Sequence, residues 1–224
     1  MGEITEGFTG FTPETYRFLM ELQFYNDKTF FDANRPRYLK EVREPMIRLG
    51  EELAPTVQEI DPEFGVIPHK ALSRIRRDTR YSKNKLPYRD HAWLSYKRPE
   101  EHNSEAMCMY FEIDTKGYGY GMGMYDVNPQ LMRPIRARIL ADPERFLALA
   151  EDAKLKKYVL EGKEYKRDRY PEAPERLKKY LNRGGLSWCY YSTELMNTMG
   201  IGLAEEVKQA MQDLAPLYRF IMGR

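Results

Sequence analysis

Between Arg74 and Arg89 the chain carries Arg74, Arg76, Arg77, Arg80, Lys83, Lys85 and Arg89 against a single acid, Asp78. That is a net +6 in a chain whose total is +2, which leaves −4 for everything else. Like charges closer than a Debye length of roughly 8 Å repel at physiological salt, so such a run is best tolerated when an anion or internal acids answer it. Arginine offers planar, forked donors that fit phosphate or carboxylate with two bonds at once, and lysine adds a point charge. The implied chemistry is anion binding, with a phosphate-bearing small molecule as the expected ligand. Arg74, Arg76, Arg80, Lys83, Lys85 and Tyr88 are its expected contacts, Asp78 is placed to hold an arginine, and Glu112 and His91 are supporting candidates.

Other partners would use the same residues. A nucleic acid would be gripped through its phosphates, with Tyr81, Tyr88, Trp93 and Tyr96 available for stacking. An acidic protein surface could dock without any chemistry. Internal salt bridges to Glu41, Glu44, Glu51 or Glu112 account for the charge almost equally well.

Several reaction classes are set aside. GxSxG, HExxH, GxGxxG and GxxxxGK[ST] are all missing, and His69, His91 and His102 are not spaced as helical metal ligands. Neither a metal nor a cofactor is expected. Glu112 and Asp114, two apart, would share one strand face, either as paired carboxylates or as salt-bridge partners. No catalytic residue is assigned.

The elements that must hold this segment follow from periodicity and punctuation. Thr12-Pro13-Glu14 starts a first helix, Asp27 caps a short second one, and Asn34 with Pro36 starts a long third with Tyr38, Val42, Met46, Leu49 and Leu53 on one face. Pro45 and Pro55 are expected to kink or end it. Ala71–Arg77, Ala92–Lys97 and Met107–Asp114 are predicted strands. In the first of these, Arg74 and Arg76 would stand on the same face as Leu72.

Gly117, Gly119, Gly121 and Gly123 alternate with Tyr118, Tyr120, Met122 and Met124, so a strand here has one bare face, on which a packed helix is expected. Asn128-Pro129 and Asp142-Pro143 start two more helices. The stretch from Lys154 to Arg183 is predicted to be a solvated connection with some helix. Trp188–Ser192 is a late strand, and Leu203–Met222 is a closing amphipathic helix. These elements define one α+β domain over 1–224: helices at about 12–60, a mostly antiparallel sheet at about 70–126, and a mainly helical part at about 128–224.

The segment Arg74-Ile75-Arg76-Arg77-Asp78-Thr79-Arg80-Tyr81-Ser82-Lys83-Asn84-Lys85-Leu86-Pro87-Tyr88-Arg89 resembles the signature of the domain of unknown function 2461 family, widespread in bacteria and found in fungi. That signature runs Arg-Asp-Thr-Arg-Phe-Ser-Lys-Asp-Lys and then Pro-Tyr-Lys, so this chain departs at Tyr81, Asn84 and Arg89. Asn84 in place of an acid puts a catalytic role there in doubt. The resemblance continues through Asn26–Tyr38, Val42-Arg43-Glu44-Pro45, the glycine-alternating strand, Asp142–Phe146 and Leu214-Ala215-Pro216-Leu217. It implies a single full-length domain and no particular activity.

Composition fits this picture. Charged residues make up 31% and apolar ones 42%, ordinary values for a chain that folds alone. No apolar window is long enough to span a membrane, and the first residues lack a secretory pattern, so a cytoplasmic protein off the membrane is expected. Cys108 and Cys189 sit in strand-like contexts and are expected to be buried thiols. Oligomeric state is not legible.

Overall fold

The computed structural model describes residues 7–102, 106–124 and 126–224. Among these residues five strands form one antiparallel sheet in the order β1-β2-β3-β5-β4. They are β1 Ala92–Tyr96, β2 Met107–Ile113, β3 Tyr118–Met124, β4 Val159–Glu161 and β5 Ser187–Ser192. The α+β class is as expected. β4, within the supposed solvated connection, is an edge strand that three residues of mixed polarity do not announce.

Strand alternation divides the sheet into two unlike faces. Leu94, Tyr96, Met109, Phe111, Tyr120, Met122 and Trp188 form the core face and are all at most 3% exposed. Helices α3 Glu44–Ile60, α4 Pro68–Ala71 and α8 Gly202–Met222 pack against the sheet. The contact with α8 has a polar stitch, because Glu206 accepts from the hydroxyls of Tyr118 (3.3 Å) and Tyr120 (2.8 Å). No helix among the described residues is long and apolar enough to cross a membrane.

The predicted helix starts at Thr12, Asp27, Asn128 and Asp142 are found, and the one at Asn34 is not. Asp27 accepts from Phe30 N (2.9 Å) at α2 Lys28–Tyr38, Asn128 from Leu131 N (2.9 Å) at α5 Pro129–Ala141, and Asp142 from Arg145 N (3.2 Å) at α6 Pro143–Ala150. The second and third expected helices are one run instead. α2 passes into a π-helical turn over Leu39–Arg43 and continues as α3, carrying Pro36 and Pro55 inside it. Pro45, having no N–H, cannot serve the carbonyl of Glu41 in the ordinary helical register. That carbonyl accepts instead from Thr15 Oγ1 (2.7 Å) on α1 Pro13–Phe24, so the local defect becomes a contact between helices.

The bare glycine face is filled differently from expectation. Register places Gly119 between Glu112 and Tyr191, and Gly121 between Tyr110 and Cys189. A Cβ on Gly121 would lie 3.2 Å from Tyr110 Cε1, and one on Gly117 would lie 2.8 Å from the Tyr191 hydroxyl. Tyrosines from the flanking strands therefore occupy the space that the glycines leave. Cys108 is buried as expected, whereas Cys189 is only half-buried; both are free thiols.

Candidate functional site

The basic segment is a hairpin rather than the predicted strand. After α4, two isolated bridges, Leu72 with Leu94 and Arg76 with Tyr88, carry it along the β1 edge. Their offset differs by two residues, so the pairing slips between them and Ala71–Arg77 never becomes a regular strand. Arg77 N donates to Pro87 O and Arg89 N to Ile75 O, both at 2.9 Å, closing the base of the hairpin. Arg74 and Arg76 are exposed, while Leu72 is half-buried against the core.

Two polar side chains at the end of α1 lock this base in place. Asn26 accepts from Tyr88 N (2.9 Å) through Oδ1 and donates to Tyr88 O (3.0 Å) through Nδ2, so its amide acts as a short stretch of partner strand. Gln23 Nε2 donates to Asp90 Oδ2 (3.0 Å). Neither residue was singled out from sequence. The only available signal was that Asn26 falls within the stretch resembling the family pattern.

Tyr88 must be withdrawn as a ligand contact. It is 2% exposed, and its ring stacks on Phe31 with centroids 4.2 Å apart. Its role is that of a pedestal, since the Arg76 guanidinium lies 5.7 Å over the same ring. Tyr96 is also buried, and Trp93 is covered by Arg89 (5.1 Å) and stacked on His91 (5.4 Å). Of the aromatics considered for base stacking, Tyr81 alone is open, at 94% exposure.

The hairpin tip organises itself through its own polar groups. Asp78 receives Arg80 Nε (3.0 Å), Arg80 Nη2 (2.7 Å) and Arg80 N (3.1 Å), and these bonds hold its carboxyl down at about 2. Lys85 Nζ donates to Thr79 O (2.8 Å), and Asn84 Oδ1 accepts from Leu86 N (2.9 Å), an Asx-type turn that an acid would make equally well. The salt-bridge explanation for the charge finds little support. Arg74, Arg76, Lys83 and Lys85 have no acidic partner among the described residues, while Glu41 pairs with Lys40 (3.0 Å) and Glu44 with Arg48 (2.6 Å). Arg80, Lys83 and Lys85 are exposed together with Arg74 and Arg76.

Arg89 joins the hairpin to the glycine face. Its Nη1 donates to Arg74 O (2.8 Å) and Arg76 O (2.6 Å), and Trp93 beneath it stands opposite Glu112 in the sheet register. His91 Nδ1 lies 3.0 Å from Asp90 Oδ1. Glu112 is half-buried, with Oε1 3.4 Å from the position of a Gly119 Cβ, and it has no hydrogen bond or ion pair among the described residues. Burial pushes its pKa up; His91 opposes that, and Asp114 and Glu161 add to it. Asp114, one residue past the end of β2, is engaged by Lys116 N, Gly117 N and the Tyr191 hydroxyl, so of the two carboxylates it is Glu112 that keeps its acceptors open. No group of three or more His, Cys, Asp or Glu among the described residues could hold a metal.

The raised pKa of Glu112 makes a directional claim about stability. Folding favours its protonated form, so its contribution becomes unfavourable as pH rises from the unfolded value of about 4.3 through the folded one. Glu112→Gln should therefore raise the urea midpoint at pH 7.5, with the gap closing by about pH 3, where both states carry the proton. A lower midpoint at pH 7.5 would show that the carboxylate has a stabilising partner.

No curated protein matches the chain. A family model described as "Conserved hypothetical protein" matches residues 14–220, which takes in the helical layer, the hairpin, the whole sheet and nearly all of α8; the chain belongs to this family, DUF2461.

Proposed function

We propose that the hairpin is a phosphate-binding arm and that its ligand is a small phosphate-bearing molecule. The observation that carries this reading is the set of exposed, acid-free cations Arg74, Arg76, Lys83 and Lys85 on a backbone held from both sides. Main-chain and Asn26 bonds fix the base of the arm, so donors are presented without ordering a loose loop. Arg80 is held by Asp78, yet it keeps N–H groups for a ligand because a guanidinium has five.

A nucleic-acid partner is the second reading, favoured by the exposure of the arm and of Tyr81. It is weakened by the engagement of Tyr88, Trp93 and Tyr96, since sequence-tolerant binding of single strands relies on open aromatic platforms. Phosphate contacts, rather than base contacts, are what the arm offers.

Titration calorimetry with pyrophosphate, a panel of sugar phosphates and nucleotides, and a 20-mer single strand tests both readings. Removing one charge-assisted bond of about 1.5–3 kcal/mol should weaken a small phosphate ligand roughly tenfold to a hundredfold in Arg74→Ala or Arg76→Ala. Binding of the 20-mer alone, falling steeply with salt, would favour the nucleic-acid reading. If both variants match the parent for every ligand that binds, the arm is not the site.

A further inference from the structure

A second concentration of arginine lies far from the hairpin in sequence. A groove of about 620 Å³ runs between the corner joining α5 to α6 and the last turns of α8, lined by Arg138, Arg145, Arg219, Arg224, Asp142 and Phe220. Its volume falls within the few hundred to about a thousand cubic ångströms typical of small-molecule sites. We propose that this groove binds a small multivalent anion with an apolar body, the anionic groups on the arginines and the body on Phe220 and Leu149.

The competing explanation is that arginines simply neutralise helix C-termini, and part of the charge does so. Arg138 Nη1 donates to Ile221 O (2.9 Å) at the end of α8, while Arg219 donates to Glu59 O (2.7 Å) and Ile60 O (3.2 Å) at the end of α3. Arg224 is answered by Asp61 and Glu101. Arg138, Arg145 and Arg219 have no acidic partner among the described residues. Against these three charges stand Asp142 and two helix ends of about half a charge each. Capping does not account for Arg145 at all.

Those same capping bonds make the groove a better receptor. Arg138 and Arg219 are fixed by main-chain carbonyls, so their remaining N–H donors are aimed before any ligand arrives. The fit is close at Gly223, whose left-handed φ of 70° ends α8 and where a Cβ would lie 2.6 Å from Arg138 Nε. Arg145 lies 5.5 Å over the Phe220 ring, which places a cation and an aromatic surface side by side. Apart from the Asp142 carboxylate, the charged side chains that line the groove are guanidinium donors.

The full chain, isotope-labelled, should be titrated separately with pyrophosphate and with citrate while amide shifts are followed in 142–149 and 216–224. Saturable shifts with pyrophosphate identify a phosphate ligand class, and shifts with citrate alone identify a polycarboxylate; either supports the groove. Arg145→Ala should weaken that binding at least tenfold, the loss expected for one charge-assisted bond, and Arg145→Lys should recover part of it. Arg145 is exposed, so its truncation does not threaten the fold. Arg74→Ala should leave these shifts unchanged, which separates the groove from the hairpin. No saturable shift in either segment, or equal affinity in the parent and Arg145→Ala, overturns the proposal.

Discussion

Gly121→Ala is expected to destabilise the protein by about 3 kcal/mol, the upper part of the range for forcing atoms into a packed interior. The added Cβ would stand 2.1 Å from Trp188 O and 3.1 Å from Trp188 C, which are backbone atoms of β5. Backbone in the middle of a ladder cannot move without breaking its pairings to β3 and β4. Gly202→Ala is the control. At the first residue of α8 nothing lies within 4 Å of the added Cβ, so its loss should be clearly smaller. Urea unfolding of both variants measures the difference. With about 2–4 °C per kcal/mol for a chain of this size, Gly121→Ala should also melt roughly 6–12 °C lower. Equal losses at the two positions would mean that the sheet is not closely approached at Gly121.

The same strand marks the boundary of what sequence patterning conveys. Alternation of glycine with large residues identifies a strand and assigns its two faces, because both are local consequences of a two-residue period. It does not identify the neighbour on the bare face. A helix seemed the natural occupant, yet Tyr110 and Tyr191 fill it, and their placement depends on register with strands remote in sequence. Caps at Asp27, Asn128 and Asp142 were legible for the reason that glycine neighbours were not: a cap acts within three residues of itself.

The candidate site divides along the same line. The charge of the hairpin is written in one contiguous stretch, so its position and its net excess could be read directly. Its shape could not. The pairing slip between Leu72 and Arg76, and the reach of Asn26 across 62 residues to Tyr88, are set by tertiary contact. Tyr88 shows the cost of reading contiguity as proximity to ligand: it lies between exposed Leu86 and half-buried Arg89 in the chain, and its ring is in the core on Phe31. The arginine groove is the converse case. Arg138, Arg145, Arg219 and Arg224 come from two separated stretches, neither of which is conspicuously basic, and the ends of helices bring them together.

Asp61→Ala is expected to be the most damaging single change, costing about 3–5 kcal/mol, as removal of one partner from a buried ionic network does. Asp61 is 3% exposed and accepts from Arg98 Nε and Nη2 (each 3.1 Å), Arg224 Nη1 (2.5 Å) and the Tyr218 hydroxyl (2.7 Å). The substitution leaves two guanidiniums, each about one-fifth exposed, with much of their compensation gone. Asp61→Asn keeps the shape and one acceptor, and should cost less. The pH dependence separates charge from packing. Burial alone would lift the Asp61 pKa, but the Tyr218 hydroxyl, Arg98 and Arg224 outweigh it and hold the carboxyl below the ordinary range. A lowered folded pKa contributes stability that is present above the unfolded value of about 3.9 and is lost as pH falls through the folded one. The deficit of Asp61→Asn relative to the parent should therefore be full at pH 7 and shrink as the solution is acidified below pH 4. A deficit that stays constant from pH 7 to pH 3 would assign the role of Asp61 to shape and hydrogen bonding rather than to charge, and with it the anchoring of Arg224 at the end of α8.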